Sequence, residues 1–272
     1  MSLLDAQLPA LRGSAPTQFQ TLTVVAVVLG ALSILWGFVD VRMVDGAFVW
    51  MKPLKFSLSF ALLFATIALV EARLSAPARD GWTLRITGWV MAAAFLSEMA
   101  YMMYQRALAE PSHFNVSTPF NQFMYEVVMA AGAVSLVIGV AVIGWIVRRD
   151  KKANFGPSTR QGIWLGFLLS FVLTMIVAMY LSLQGQHHVG LHPEGAPTLP
   201  LVGWSGVTGD LRPAHFLSLH AMQVLPLLGV WLDRRGSTGS VHTIRIAAVG
   251  YSALTFAVFA QAIMGLPLIP LG

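Results

Sequence analysis

The sequence predicts an all-α fold, an integral membrane bundle of seven transmembrane helices, and three observations carry that prediction. The 272-residue chain is 56% hydrophobic and 11% charged, whereas roughly 25% of an ordinary soluble domain is charged. Seven apolar runs approach or exceed the roughly 20 residues with which a helix crosses about 30 Å of hydrocarbon. Lys and Arg gather in alternate connections, the pattern that cytoplasmic loops follow.

Residues 1–18 carry Asp5, Pro9, Arg12 and Pro16 and read as a polar leader that cannot span. The first run, Phe19 to Val39, has spanning length and is followed by Asp40, Val41 and Arg42 instead of a small-residue cleavage site, so it stays as a membrane helix. The next runs are Leu54 to Ala72, Trp82 to Gln105, Phe120 to Val147, Gly162 to Leu183, Ala214 to Leu232 and Thr243 to Gly265. Ser117 or Thr118 begins the fourth helix, with Pro119 as its first residue, where a missing N–H does no harm. Pro226 removes a donor inside the sixth run and predicts a kink just inward of His220. Residues 19–265 read as one membrane domain and 266–272 as a short tail.

Twelve of the 17 Lys and Arg residues fall on the side of the N-terminus, which places that terminus in the cytoplasm and the C-terminus outside. The expected location is a bacterial cytoplasmic (inner) membrane. The charge of +5 and pI near 9.9 follow from this loop asymmetry and do not call for nucleic acid. The partners expected are the lipid bilayer and a small molecule entering from the outer face. That face receives the longer connections, above all Gln184 to Pro213, about 30 residues and longer than a link needs. No internal repeat is visible, and the odd span count argues against a simple duplicated transporter.

The candidate site rests on depth. Glu98, Glu126 and His220 lie six or seven residues in from the outer ends of their spans, a shared level roughly 10 Å deep. Lys55, Gln122, His215 and Gln223 are nearby in depth, and the inner halves carry almost nothing polar. Polar groups in hydrocarbon are costly unless they face the protein interior or water, so one outward-facing pocket is expected. Glu98, Tyr101 and Gln105 form one helical stripe, and Gln122, Glu126 and Met129 another, expected to face each other. Five positions place His215 about 140° from His220, so a regular helix cannot bring both to one ion.

The pocket's lip is read in GWSGVTGDLRPAHFLSLHAMQ, residues 203–223, where a glycine-punctuated loop with Trp204, Asp210 and Arg212 runs into the helix of His215, His220 and Gln223. Most tryptophans sit near span ends as interfacial anchors, whereas Trp204, in the glycine-rich outer loop, reads either as part of an interface-embedded loop or as an aromatic lid over the pocket. Asp210 either orients an imidazole or pairs locally with Arg212. His187, His188 and His192 cluster in the same loop, and Gly190 and Pro193 make a helix there doubtful. His113 lies in another outer loop.

Zero cysteines leave nitrogen, oxygen and methionine sulfur as ligands. The leading expectation is a membrane redox protein or enzyme binding haem or a divalent metal. In it His220, Glu98 and Glu126 are ligands, the two acids and Tyr101 carry chemistry, and His215, Gln223, Trp204, Asp210, Arg212, Lys55 and Gln122 surround the cofactor. The alternative is a proton-linked small-molecule transporter or binding protein using Glu98 and Glu126. A plainer reading has the acids paired with Lys52, Lys55 or Arg212 and the polar groups only locking helices. The seven-span count resembles that of many receptors, ceramidase-like hydrolases and rhodopsins. Their site motifs are not matched, and the seventh span has no lysine for a retinal Schiff base.

Overall fold

The computed structural model describes residues 17–44, 46–236 and 240–271; the leader expected over residues 1–18 lies outside them except for its last two. Among the described residues seven helices are long and apolar enough to cross a membrane, and the chain is an all-α, multi-pass integral membrane protein. They are α1 (Gln18–Gly37), α2 (Met51–Glu71), α3 (Trp82–Ala107), α4 (Pro119–Arg149), α5 (Pro157–Gln184), α6 (Arg212–Arg234) and α7 (Ser240–Ile263). Most outrun the apolar runs that predicted them, because backbone hydrogen bonding continues into polar ends that a hydropathy window leaves out. Exposed Val, Leu, Ile and Trp side chains cover these helices, a surface suited to lipid.

The chain forms two compact units. In the first, Met1–Ala72 with Met102–Glu110, α1 and α2 run antiparallel. The Thr17 hydroxyl at the start of α1 donates to Glu71 at the end of α2 over 2.6 Å, and Gly37 at the other end lies flat on the Trp50 ring. Thr17 also caps α1 through a reciprocal box with Gln20. A small hairpin joins the helices, β1 (Met43–Val44) with β2 (Ala47–Phe48). Arg42 beside it pairs with Asp40 and donates to the Ala107 carbonyl.

The second unit, Arg73–Tyr101 with Pro111–Gly272, holds most of α3 and all of α4 to α7. Thr118 caps α4 by accepting from the Asn121 amide, with Pro119 first in the helix, as the sequence predicts. Within α4, Met124–Met129 form a π-turn, which periodicity did not reveal. Glycines set the distances between helices. Gly139 lies under Met91 of α3, Gly144 under Phe167 of α5, and Gly162 and Gly166 of α5 under the backbone of Leu225 and Ala221 on α6. Gly229 of α6 returns the contact on Ser158. A Cβ on Gly166 would stand 2.6 Å from the Ala221 carbonyl oxygen, so small-residue packing of this kind is obligatory here.

Two further bonds hold α5 to α6. The Ser170 hydroxyl donates to the Leu219 carbonyl over 2.9 Å, and Thr174 to Ser218 over 3.0 Å. At the far end Asp233 accepts from the Ser158 and Thr159 amides and the Thr159 hydroxyl. Gly156, the residue at the N-cap of α5, has no side chain to do this, so a carboxylate from the neighbouring helix does it. Helix α6 continues through Pro226, whose ring lies against Gly166.

Two substitutions separate these effects. Gly166→Val should lower unfolding stability in detergent by about 2 kcal/mol or more, because rigid backbone opposes the new atoms. Asp233→Ala should lower it by roughly 1 kcal/mol through the lost cap. Equal stability of Gly166→Val and the natural protein would mean that the two helices can part at no cost.

Candidate functional site

Glu98 is 5% exposed, and its Oε1 is buried with no hydrogen-bond partner. It lies against Gly132 of α4, where a Cβ would approach that oxygen to 2.9 Å. One turn on, the Tyr101 hydroxyl donates to Asn121 over 3.3 Å, and its ring meets Phe120 edge-on. The Glu98–Tyr101 stripe therefore packs on α4, but not on the acid expected there.

Glu126 is exposed and accepts from the exposed Gln122 amide at 3.1 and 3.2 Å. Met129, placed by regular periodicity on the same stripe, is 4% exposed. The π-turn accounts for this, since its extra residue per turn rotates Met129 away from Gln122 and Glu126. The two acidic stripes do not face each other. Among the described residues no three His, Asp or Glu side chains gather as a metal-ligating group, so the set of His220, Glu98 and Glu126 is not assembled. Lys55 is exposed on α2 in the other unit.

The second cluster joins the long loop to α6. Trp204 meets Phe216 edge-on at 5.8 Å, and Phe216 lies 4.1 Å from the His220 ring. His220 Nδ1 stands 3.2 Å from Gln223 Oε1; an amide oxygen only accepts, so Nδ1 carries the proton and the Nε2 lone pair remains for a ligand. Phe216, missed in the sequence as one more apolar helix residue, is what connects the tryptophan to the histidine. His215 points elsewhere, as the helical phase requires, with a buried Nδ1 that has no partner.

The long loop is itself folded. Strand β3 (His188–Val189) pairs with β4 (Gly209–Asp210), Leu211 N–H donates to the His187 carbonyl, and Gly209 packs on the Ala262 backbone at the end of α7. Asp210 is almost fully buried and pairs with Arg212 at 2.6 Å, not with His215. It also accepts from the Ser205 and Arg212 amides. Arg212 further donates to the Gly203 carbonyl. Burial opposes the charge of Asp210, but Arg212 and these amides outweigh it and hold the carboxyl below its ordinary range.

His188 and His192 are not on a helix; their rings stack at 4.0 Å beside a recess of about 530 Å³. Arg212 Nη2 lies 3.4 Å from His188 Nε2 and has only protons to offer, so Nε2 accepts. Ser205 Oγ takes the Val207 and Thr208 amides and stands 3.1 Å from His192 Nδ1, which leaves its own proton for that nitrogen. A buried serine committed in this way organises the turn. In the other connection Phe114, at φ 58°, sits edge-on to both Tyr125 and His187, and His113 lies 6.1 Å from Tyr125. Positive φ is uncommon for an aromatic residue, and no sequence signal announces it.

No family model, curated protein or solved structure matches this chain, so the geometry alone carries the functional argument.

Burial holds His188 below the ordinary imidazole range; Asp210 opposes this, and His192 and Arg212 add to it. A lowered folded-state pKa means that the unfolded chain takes protons first, so stability falls with pH. For His188 the loss begins below about 6.5, and for Asp210 below about 3.9. Hydrogen-exchange protection of the Thr208 and Leu211 amides should therefore fall between pH 7 and pH 5 (roughly the span over which a free imidazole charges). His188→Gln should remove that dependence. Protection that does not change over this interval would count against a neutral, buried His188.

Proposed function

We propose that the chain is a proton-linked small-molecule transporter or binding protein in which Glu98 carries the proton. The observation that carries this reading is a buried carboxyl group at span depth with one oxygen unpartnered. Such groups are expensive in a membrane and are found where ions or protons move. Two features of α4 support it. Gly132 lets the carboxyl group lie against the helix, and the π-turn a short distance along α4 is a device common at functional sites. Glu126 and Gln122, hydrogen-bonded at a similar depth and exposed, offer a second proton-exchanging carboxylate.

The test is proton uptake into liposomes containing the purified protein, read with an internal pH dye, on addition of amino acids, sugars, organic acids and metal cations in turn. At least one class should drive uptake. Glu98→Gln should reduce it roughly tenfold or more, in the range of ordinary coupling free energies, while Glu98→Asp keeps part of it. Uptake of equal size in Glu98→Gln would remove Glu98 from the mechanism.

A second reading keeps His220 as a haem or metal ligand, supported by the Gln223 bond that presents Nε2. Its ligand partners are then other than Glu98 and Glu126. An optical spectrum and elemental analysis beside His220→Ala test it, and a colourless, metal-free natural protein ends it.

A further inference from the structure

Away from Glu98 and His220, the seam between α4 and α5 carries an apolar groove of about 310 Å³, lined by Ile138, Ala141, Val142 and Trp145 on α4 and by Trp164, Leu168 and Phe171 on α5. Both helices belong to one unit. The groove spans eight residues of each helix, a rise of about 10 Å at 1.5 Å per residue. It ends at Trp145 and Trp164, whose rings are 5.8 Å apart.

Over that end lie two guanidinium groups. Arg148 is 4.9 Å from the Trp164 ring and Arg149 is 4.3 Å from the Trp145 ring. Both are exposed, as are Lys151 and Lys152 just beyond. The neighbouring Arg160 and Asp150 are already engaged. Arg160 donates to the Val147, Asp150 and Ala153 carbonyls, and the Asp150 carboxylate accepts from the Ser75 and Lys152 amides. The mouth is cationic and the channel below it is hydrocarbon.

We infer that this groove binds an anionic phospholipid, one acyl chain lying between α4 and α5 and the phosphate held by Arg148 and Arg149. The dimensions choose the occupant. An open apolar groove of about 310 Å³, running about 10 Å along the seam, suits a single acyl chain laid along it. Its length is about two thirds of the ~15 Å depth of one leaflet. Helix α4 ends at Arg149, which sets the guanidinium groups at headgroup level, where each basic residue favours anionic lipid by about fivefold. The tryptophans beneath them are interfacial residues in their usual place.

The test titrates phosphatidylglycerol and phosphatidylcholine with the same acyl chains onto the protein in neutral detergent, read by native mass spectrometry. Phosphatidylglycerol should bind at least roughly tenfold more tightly. Arg148→Gln with Arg149→Gln should abolish that preference, and Arg148→Lys with Arg149→Lys should keep most of it. Ala141→Phe, which fills the groove, should weaken phosphatidylglycerol binding about tenfold with the arginines intact. Glycerol phosphate, the headgroup without chains, should not compete. The proposal is overturned by equal binding of the two lipids, by a preference that survives the glutamine pair or disappears equally in the lysine pair, or by unchanged binding in Ala141→Phe. Competition by glycerol phosphate as strong as by the lipid also overturns it, because the site would then be one for phosphate alone.

Discussion

The second unit depends on how closely α5 approaches α6. In lipid no hydrophobic force draws two apolar helices together, so their association rests on van der Waals contact and on polar groups that find partners. Gly162, Gly166 and Gly229 bring backbone against backbone. That proximity is what lets Ser170, Thr174 and Asp233 reach across. The glycines and the polar bonds are therefore one arrangement, since side chains at the glycine positions would carry the hydroxyls and the carboxylate out of range. The rigid pair then fixes where α6 begins, and with it Arg212, Phe216 and His220.

The loop of residues 184–211 builds on that start. Asp210 and Arg212 flank Leu211 at the N-cap of α6, and the bonds they make to Gly203, Ser205 and His188 wrap the loop around their ion pair. The segment is a small folded layer tied to α7 through Gly209 and to the C-terminal tail through Gly206 and Leu271. Trp204 is part of that layer, and its ring meets α6 at Phe216.

The helices were legible because hydropathy over 20 residues is a strong signal, and the cap at Thr118 with Pro119 because capping chemistry is local. The depth of Glu98 was legible for the same reason, as a charged residue inside an apolar run is conspicuous. Its neighbours were not. Regular periodicity set Glu126 and Met129 on one stripe opposite it, and the π-turn, which leaves no mark in composition, parts them, with Met129 buried and Glu126 exposed. The capping role of Asp233 leaves no local signal, because the helix end that it caps is 74 residues away along the chain. The pairing of Asp210 was open between two partners in sequence, and burial beside Arg212 decided it.

The π-turn also makes the length of α4 a fixed quantity. Residues on either side of it are held in a set rotational phase, Asn121 to Tyr101 on one side and Gly132 to Glu98, then Gly139 to Met91, on the other. Loss or gain of a single residue would turn the downstream half by about 100°, swinging Gly132 off the acid and Arg148 and Arg149 off the tryptophan pair. Connecting loops absorb such changes in register, whereas this span transmits them along its whole length. The acid at one level and the arginines at the membrane surface are thus set by a single count of residues.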